Sequence, residues 1–279
     1  MSQTISSFLS EHLSDKKAIG ALNKKWLSYG ALRELKKDVH KALRKNGIAK
    51  QDRVAIVLPN GPTMATAFVT IAQCTTTAPL NPNYREDEFS FYLDDLKAKA
   101  LVVNDGYDGP AAAAAERLDI KIIRLIESDQ VAGLFSLVGD GDKDFIEDEE
   151  VCENDVALIL HTSGTTSRPK IVPLLQSNIA ASASNIAQSL SLSSADRCLN
   201  VMPLFHIHGL IAAVSASLSV GASIWCSSGF NALSFFSNLD EAKPTWYTAV
   251  PTMHQAILAR SGRNSEIIKN TPLLSLIHI

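Results

Sequence analysis

Residues 161–171, HTSGTTSRPKI, concentrate three Thr, two Ser, one Gly and one Lys in a short stretch. Backbone N–H groups and hydroxyls in such a stretch can all donate hydrogen bonds, and the Lys170 ammonium adds a mobile positive charge. Gly and hydroxyl residues are also common in surface turns, but a plain turn has little use for so many neighbouring hydroxyls. The composition therefore predicts a loop that wraps a polyphosphate.

Three motifs of nucleotide and acyl chemistry are absent from the sequence. The P-loop requires GxxxxGK[ST] at a helix start, whereas Lys170 is followed by Ile171, Val172 and Pro173, which do not start a helix. No GxGxxG follows the first strand, so a dinucleotide-binding oxidoreductase lacks its fingerprint. GxSxG is also missing, which makes Ser163 a poor candidate for a hydrolase nucleophile.

His206 and His208 form a close pair among the seven histidines. Their i, i+2 spacing predicts that both lie on one face of a strand, where they could begin a metal site. No matching third ligand lies nearby in the sequence, so metal binding is the weaker interpretation. The alternative for His208 is a core residue whose hydrogen bonds are satisfied inside the protein.

Apolar runs and helical patterns alternate along the chain and must position these residues. Predicted strands cover residues 53–59, 76–80, 100–103, 120–126, 156–160, 198–202, 222–226 and 245–248. Predicted helices cover residues 28–47, 62–74, 85–97, 110–118 and 176–190, and others start at Gly209, Asn231 and Pro251. This alternation is typical of mostly parallel sheets covered by helices. The hydroxyl-rich loop follows a buried strand, the position where α/β sheets bind ligands.

The overall composition excludes several classes of function. The 279 residues are 46% hydrophobic, which predicts a globular chain. Lys and Arg total 26 against 29 Asp and Glu, so no basic field is available for nucleic acid or an anionic membrane. The N-terminus lacks the pattern of a signal peptide, and no apolar stretch reaches membrane-spanning length. These features predict a soluble, cytoplasmic protein, with a peroxisomal location as the alternative if the protein is eukaryotic and its true C-terminus carries a targeting signal. They leave the oligomeric state open.

The sequence also suggests a division of the chain into two α/β units. Residues 127–155 include GDGDKDFIEDEE, an acidic stretch poor in apolar residues, which is interpreted as a solvated connector. It separates a unit of residues 1–150 from a second unit of residues 151–279. The cysteines form no CxxC pair, which predicts buried, reduced thiols. They are Cys74, Cys152, Cys198 and Cys226.

The loop resembles the signature of the adenylate-forming enzymes, the superfamily of acyl-CoA synthetases, luciferases and peptide-synthetase adenylation domains. Their pattern is TSGTTGxPKGV, which this sequence matches except at Ser167 and Ile171, where the family usually has glycine. The form TSGTTSRPK followed by VPL resembles the oxalate–CoA ligases among them. Residues 201–210 (VMPLFHIHGL), residues 245–255 (TWYTAVPTMHQ) and two blocks nearer the N-terminus are similar to further family segments.

The resemblance implies a fold, a reaction and a set of site residues. The fold is the N-terminal portion of the family's large domain, α/β with two stacked, mostly parallel sheets covered by helices. The reaction joins a carboxylic acid to CoA through an acyl-adenylate, with cleavage of Mg²⁺-bound ATP to AMP and pyrophosphate. The phosphate-binding residues implied are Thr162, Ser163, Gly164, Thr165, Thr166 and Lys170, with Thr166 also as a metal ligand. His206 is implied as the catalytic residue that gates the acid pocket, which His208, Tyr247, Val250 and Pro251 line.

Oxalate is the first-choice acid. Two imidazoles can neutralise or hydrogen-bond the second carboxylate of a small dicarboxylate, a group that is costly to bury without a partner. The alternatives are another small, aromatic or medium-chain acid, or a non-catalytic nucleotide-binding paralogue.

The family's later motifs, which complete the adenine, ribose and lysine sites, are not found in this sequence. Residues 274–279, LSLIHI, match the translation of a transposon-end adapter used in sequencing libraries. The sequence is therefore expected to be an N-terminal fragment, inactive as it stands. The glycine that the family usually has at position 171 can adopt a positive φ, which a β-branched residue such as Ile171 rarely does. The effect of this departure from the family pattern is left open.

Overall fold

The structure, a computed structural model, describes residues 3–141, 150–162, 169–271 and 273. The strands of this part are β1 Lys17–Gly20, β2 Leu27–Ser28, β3 Arg53–Val57, β4 Thr76–Pro79, β5 Ala100–Asn104, β6 Lys121–Glu127, β7 Phe135–Val138, β8 Val156–Thr162, β9 Lys170–Leu175, β10 Arg197–Asn200, β11 Ser223–Cys226 and β12 Trp246–Thr248. The α-helices are α1 Ile5–Ser10, α2 Tyr29–Lys45, α3 Pro62–Ile71, α4 Glu86–Leu96, α5 Pro110–Arg117, α6 Gln176–Ser189, α7 Ala216–Ser219, α8 Phe235–Ala242, α9 Pro251–Ser261 and α10 Ser265–Lys269. A π-helix, His208–Ser215, precedes α7, and a 3-10 turn, Gly262–Asn264, follows α9.

The strands form two sheets. The larger has the order β7-β6-β5-β3-β4-β8-β9, and its pairs are parallel except at the edges, where β7 and β9 run antiparallel to their neighbours. The smaller has the order β12-β10-β11-β1-β2, in which the β1–β2 pair is antiparallel. This architecture confirms the predicted α/β class with two mostly parallel sheets.

Side chains alternate between the two faces of each central strand, so that each strand contributes to an apolar cluster on either side of the sheet. Val54 and Ile56 of β3 face a core that also contains Phe68 of α3 and Ile224 of the smaller sheet. The intervening residues of β3 face the opposite side, where they pack with buried residues of α4 and α5. Phe235 of α8 belongs to a third cluster, on the far face of the smaller sheet. Helices therefore lie between the sheets and on both outer faces.

The helix predicted from Ser28 illustrates how local sequence determines structure. The Ser28 hydroxyl accepts a hydrogen bond from the backbone N–H of Ala31, 3.2 Å away, and thereby caps α2. The apolar residues at helical spacing are all buried. Gly47 follows the helix with a φ of 76°, a conformation that glycine adopts without steric cost. Both ends of this helix were correctly predicted to within two residues.

The prediction of a solvated connector at residues 127–155 was only partly correct, because this stretch contains a strand. β7 lies within it and pairs antiparallel with β6, where Leu137 faces Leu125. The sequence signal is weak because β7 alternates buried and exposed residues over only four positions. The helix predicted from Asn231 begins instead at Phe235. Cys152 is exposed rather than buried, whereas the other three cysteines are buried.

Both sheets combine strands from the two sides of residue 150. β8 pairs with β4, and β1 pairs with β11. The sheets therefore do not divide the chain at residue 150, and the two proposed units remain a prediction. None of the helices in the described part of the chain has the length and apolar composition of a membrane-spanning segment.

Candidate active site at the carboxyl ends of the strands

The predicted phosphate loop connects two antiparallel strands. β8 ends at Thr162 and β9 begins at Lys170, and these two residues are paired across the ladder. Both are exposed. Ser163, Gly164, Thr165 and Thr166 lie outside the described residues, so their roles, including that of Thr166 toward a metal, remain predictions. β8 lies parallel to β4, so the loop leaves from the carboxyl ends of the parallel strands, as predicted for a ligand-binding loop.

The base of this loop is attached to α4 by a contact that the sequence did not reveal. The Nε2 atom of His161 lies 3.1 Å from the Oδ2 atom of Asp95. The His161 ring also packs edge-on against Tyr92, with ring centroids 4.6 Å apart, and its side chain is only 6% exposed. Burial lowers the pKa of His161, and the neighbouring Asp95 carboxylate partly opposes this shift. His161 thus anchors the end of β8 beside the loop.

Ile171, which replaces a family glycine, lies inside β9 opposite His161. It is half-buried and packs against the cluster between the larger sheet and its outer helices. Ile171 is not one of the described residues with a positive φ. The strand therefore accommodates a β-branched side chain, which suits the pleated geometry.

His206 and His208 do not lie on a strand, contrary to the prediction. β10 ends at Asn200, His206 follows in the connecting turn, and His208 is the first residue of the π-helix. The alternation of side chains along a strand therefore does not apply to this pair, because the chain has already left the sheet after Asn200. Both pKa values are lowered by loss of solvation, although His206 is exposed. Neutral imidazoles are favoured at this position.

His208 has a hydrogen-bonding partner at the end of a strand of the smaller sheet. Its Nε2 atom lies 2.7 Å from the Oγ1 atom of Thr248, the last residue of β12. Thr248 is 9% exposed, and sequence reasoning did not single it out. A hydroxyl can donate to or accept from an imidazole, so this contact fixes the orientation of the ring whichever tautomer is present.

The other predicted pocket residues follow β12 or belong to it. Tyr247 is buried with Phe235 in the cluster on the far face of the smaller sheet, and its hydroxyl lies 3.2 Å from Nδ1 of His254. Burial raises the pKa of Tyr247 to about 12. Val250 occupies the N-cap position of α9 and Pro251 begins the helix, just beyond the carboxyl end of β12. Since neighbouring residues alternate along a strand, Tyr247 and Thr248 extend to opposite faces, and a pocket role for Tyr247 remains a prediction.

The family of the chain follows from its match to known proteins. Residues 9–278 match the family model of the AMP-binding enzymes, and the chain belongs to this family. An oxalate–CoA ligase of Arabidopsis thaliana is 36% identical over 95% of this chain and 53% of the relative. An oxalate–CoA ligase of Saccharomyces cerevisiae is 35% identical over 76% of this chain and 43% of the relative. The chain thus spans about half the length of these relatives.

Solved structures show the same fold. ATP-bound MatB from Rhodopseudomonas palustris superimposes with a TM-score of 0.76 at 23% identity, over 92% of this chain and 51% of that structure. A long-chain-fatty-acid–CoA ligase from Archaeoglobus fulgidus gives a TM-score of 0.78 at 24% identity, over 94% and 55%. At this level of identity the similarity concerns the fold alone.

Proposed function

We propose that the chain is the N-terminal half of an ATP-dependent acid–CoA ligase whose acid is oxalate. In the first step a carboxylate oxygen attacks the α-phosphorus of ATP, the bond to the β-phosphate oxygen breaks, and acyl-adenylate and pyrophosphate form. In the second step the CoA thiolate attacks the acyl carbon and AMP leaves. Both steps bring anions together, so donors and cations that disperse the charge are the main catalytic resource.

The loop between β8 and β9 supplies these donors in the proposed enzyme. Thr162 and Lys170 lie at its base, and Ser163, Gly164, Thr165 and Thr166 lie between them. Lys170 is exposed, so its ammonium can reach the β- and γ-phosphates without first being released from a buried contact. Thr166 would hold Mg²⁺, which neutralises the phosphates when bound.

The contact between His208 and Thr248 is the observation that supports a small dicarboxylate. A monocarboxylate with an apolar tail needs an apolar pocket, whereas this part of the site contains two imidazoles and a hydroxyl. If the Thr248 hydroxyl donates to Nε2 of His208, the Nδ1–H group remains a donor for the second carboxylate of oxalate. His206, exposed on the preceding turn, would contact the substrate and gate its entry. Val250 and Pro251 would form the wall beyond β12.

The proposal is tested in a chimera in which residues 9–271 replace the matching half of the Arabidopsis thaliana oxalate–CoA ligase. ATP–pyrophosphate exchange is measured with oxalate, with 4-coumarate and with hexanoate, and the complete plant enzyme serves as the control. Exchange that depends on oxalate supports the proposal. Exchange with an aromatic or medium-chain acid and none with oxalate would assign a different substrate, and no exchange with any acid would contradict the ligase activity.

A further inference from the structure

Asn60 connects the carboxyl ends of the two sheets. It lies in the loop between β3, a strand of the larger sheet, and α3. Its Nδ2 group donates to the backbone carbonyl of Ser227, 3.2 Å away, and its Oδ1 atom accepts from the backbone N–H of Leu204, 2.8 Å away. Ser227 directly follows β11 and Leu204 follows β10, and both strands belong to the smaller sheet. One side chain therefore links three loops.

Leu204 begins the segment that leads to the two histidines. The preceding part of this segment is held by Asn200, whose side-chain oxygen accepts from the backbone N–H of Met202 at 3.2 Å. The Asn60 contact adds a second point of attachment, two residues before His206. Beyond it, the backbone N–H of Leu210 donates to the carbonyl of His206 at 3.1 Å, within the start of the π-helix. The backbone on both sides of His206 is thus held by hydrogen bonds.

The chemistry of the amide side chain suits this role. An amide offers a donor and an acceptor on the same carbon, so it can bind a carbonyl on one loop and an N–H on another at once. Asn60 is only half-buried. We therefore expect its hydrogen bonds to affect the positions of these loops more than the free energy of unfolding of the protein. Residues that are held in their binding arrangement in advance give higher affinity, because less conformational freedom is lost when the substrate binds.

We infer that Asn60 is a positioning residue that sets the affinity for the carboxylate substrate by holding the turn of residues 204–208. This inference rests on the proposed function, because it takes that turn to be part of the acid pocket. Among the described residues, the Asn60 side chain hydrogen-bonds to Ser227 and Leu204, and neither Thr162 nor Lys170 at the base of the phosphate loop is a partner. The acid and ATP should therefore respond differently to its loss.

The first experiment requires no catalysis. In the 279-residue chain, NMR signals of the histidine rings are compared between the native protein and the variants Asn60→Ala and Asn231→Ala. Asn231 is a matched control, since its side-chain oxygen accepts from the backbone N–H of Leu233 in an exposed local turn. The Asn60 variant is expected to shift the signals of His206 and His208 and leave that of His12 in place. Unchanged signals from both site histidines would overturn the inference.

The second experiment measures kinetics in the chimera with its best acid. Asn60→Ala is expected to raise KM for the acid about tenfold and to change KM for ATP by less than about twofold, while Asn231→Ala changes neither. Equal changes for acid and ATP, or no change for the acid, would contradict a positioning role. If Asn60→Ala does not fold, Asn60→Asp, which keeps the acceptor for Leu204, is measured with the same two readings.

The two experiments separate the failure of this inference from the failure of the proposed function. An unsubstituted chimera that is active on another acid contradicts oxalate as substrate, and Asn60 is then tested with that acid. An unsubstituted chimera that is inactive with every acid contradicts the ligase activity and, with it, the effect on substrate affinity. The NMR comparison then decides whether Asn60 holds the turn.

Discussion

Thr162 and Lys170 face each other across the ladder of β8 and β9, as the last residue of one strand and the first of the next. The loop between them is therefore closed at its base by strand pairing. Closing a short loop in advance removes conformational entropy that a ligand would otherwise have to overcome. In the proposed function, this pairing holds the two ends of the phosphate loop together without a following helix.

Replacing Lys170 by Met should weaken ATP binding in the chimera. A charge-assisted hydrogen bond contributes about 1.5–3 kcal/mol, so KM for ATP is expected to rise roughly 10- to 150-fold. Because Lys170 is exposed, the free energy of unfolding should change by less than about 0.5 kcal/mol. Lys37→Met, an exposed substitution on α2, is the control. An ATP KM within twofold of the native value would show that Lys170 does not bind the phosphates.

Replacing Thr248 by Val removes the hydroxyl that orients His208 and preserves the side-chain shape. Loss of one hydrogen bond of about 1 kcal/mol should raise KM for oxalate roughly fivefold. The control is Thr245→Val. Thr245 lies just before β12, and its hydroxyl donates a hydrogen bond to the Oδ1 atom of Asp196, 2.7 Å away. That change should lower stability and leave KM for oxalate unaltered. The reverse pattern would contradict the role assigned to Thr248.

Restoring the family glycine at Ile171 should destabilise this chain. The substitution exposes part of the outer cluster and places a flexible residue inside β9, which together should cost about 2 kcal/mol. Urea unfolding of the 279-residue chain provides the measurement, with Ile171→Val expected to cost about 1 kcal/mol or less. An Ile171→Gly variant as stable as the native chain would mean that packing of the Ile171 side chain does not stabilise the fold.

The contact between Asp95 and His161 gives a prediction for pH. The folded pKa of His161 lies below its unfolded value of about 6.5, so the folded state binds fewer protons. Its contribution to stability is therefore complete above pH 6.5 and is lost as the pH falls through 6.5 toward the folded pKa. Asp95→Asn removes the group that opposes the shift, so the His161 pKa should fall further and acid should destabilise the variant more steeply.

An NMR titration of His161 tests this pH dependence directly. Asp94→Asn is the control, because Asp94 pairs with Lys97 on the exposed side of the same helix. Its substitution should leave the His161 titration in place. A His161 pKa that rises or stays constant in Asp95→Asn would mean that the Asp95 carboxylate does not act on this imidazole.

Local patterns in the sequence were sufficient for most elements and for the family. The Ser28 cap and the spacing of apolar residues predicted α2, and apolar runs predicted the central strands, because these features depend on neighbouring residues. The segment HTSGTTSRPK pointed to phosphate binding through its composition alone. Strands β1, β2, β7 and β9 were missed. In β7, for example, four residues carry too little pattern.

Contacts between distant residues were decided only by the tertiary structure. His161 meets Asp95 because β8 packs beside α4, and His208 meets Thr248 because β10 and β12 are neighbours in the smaller sheet. Asn60 reaches Leu204 because the two sheets are stacked with their loops adjacent. Which strands become neighbours depends on how the apolar faces of all elements pack together. That is a property of the whole core, which no local stretch of sequence contains.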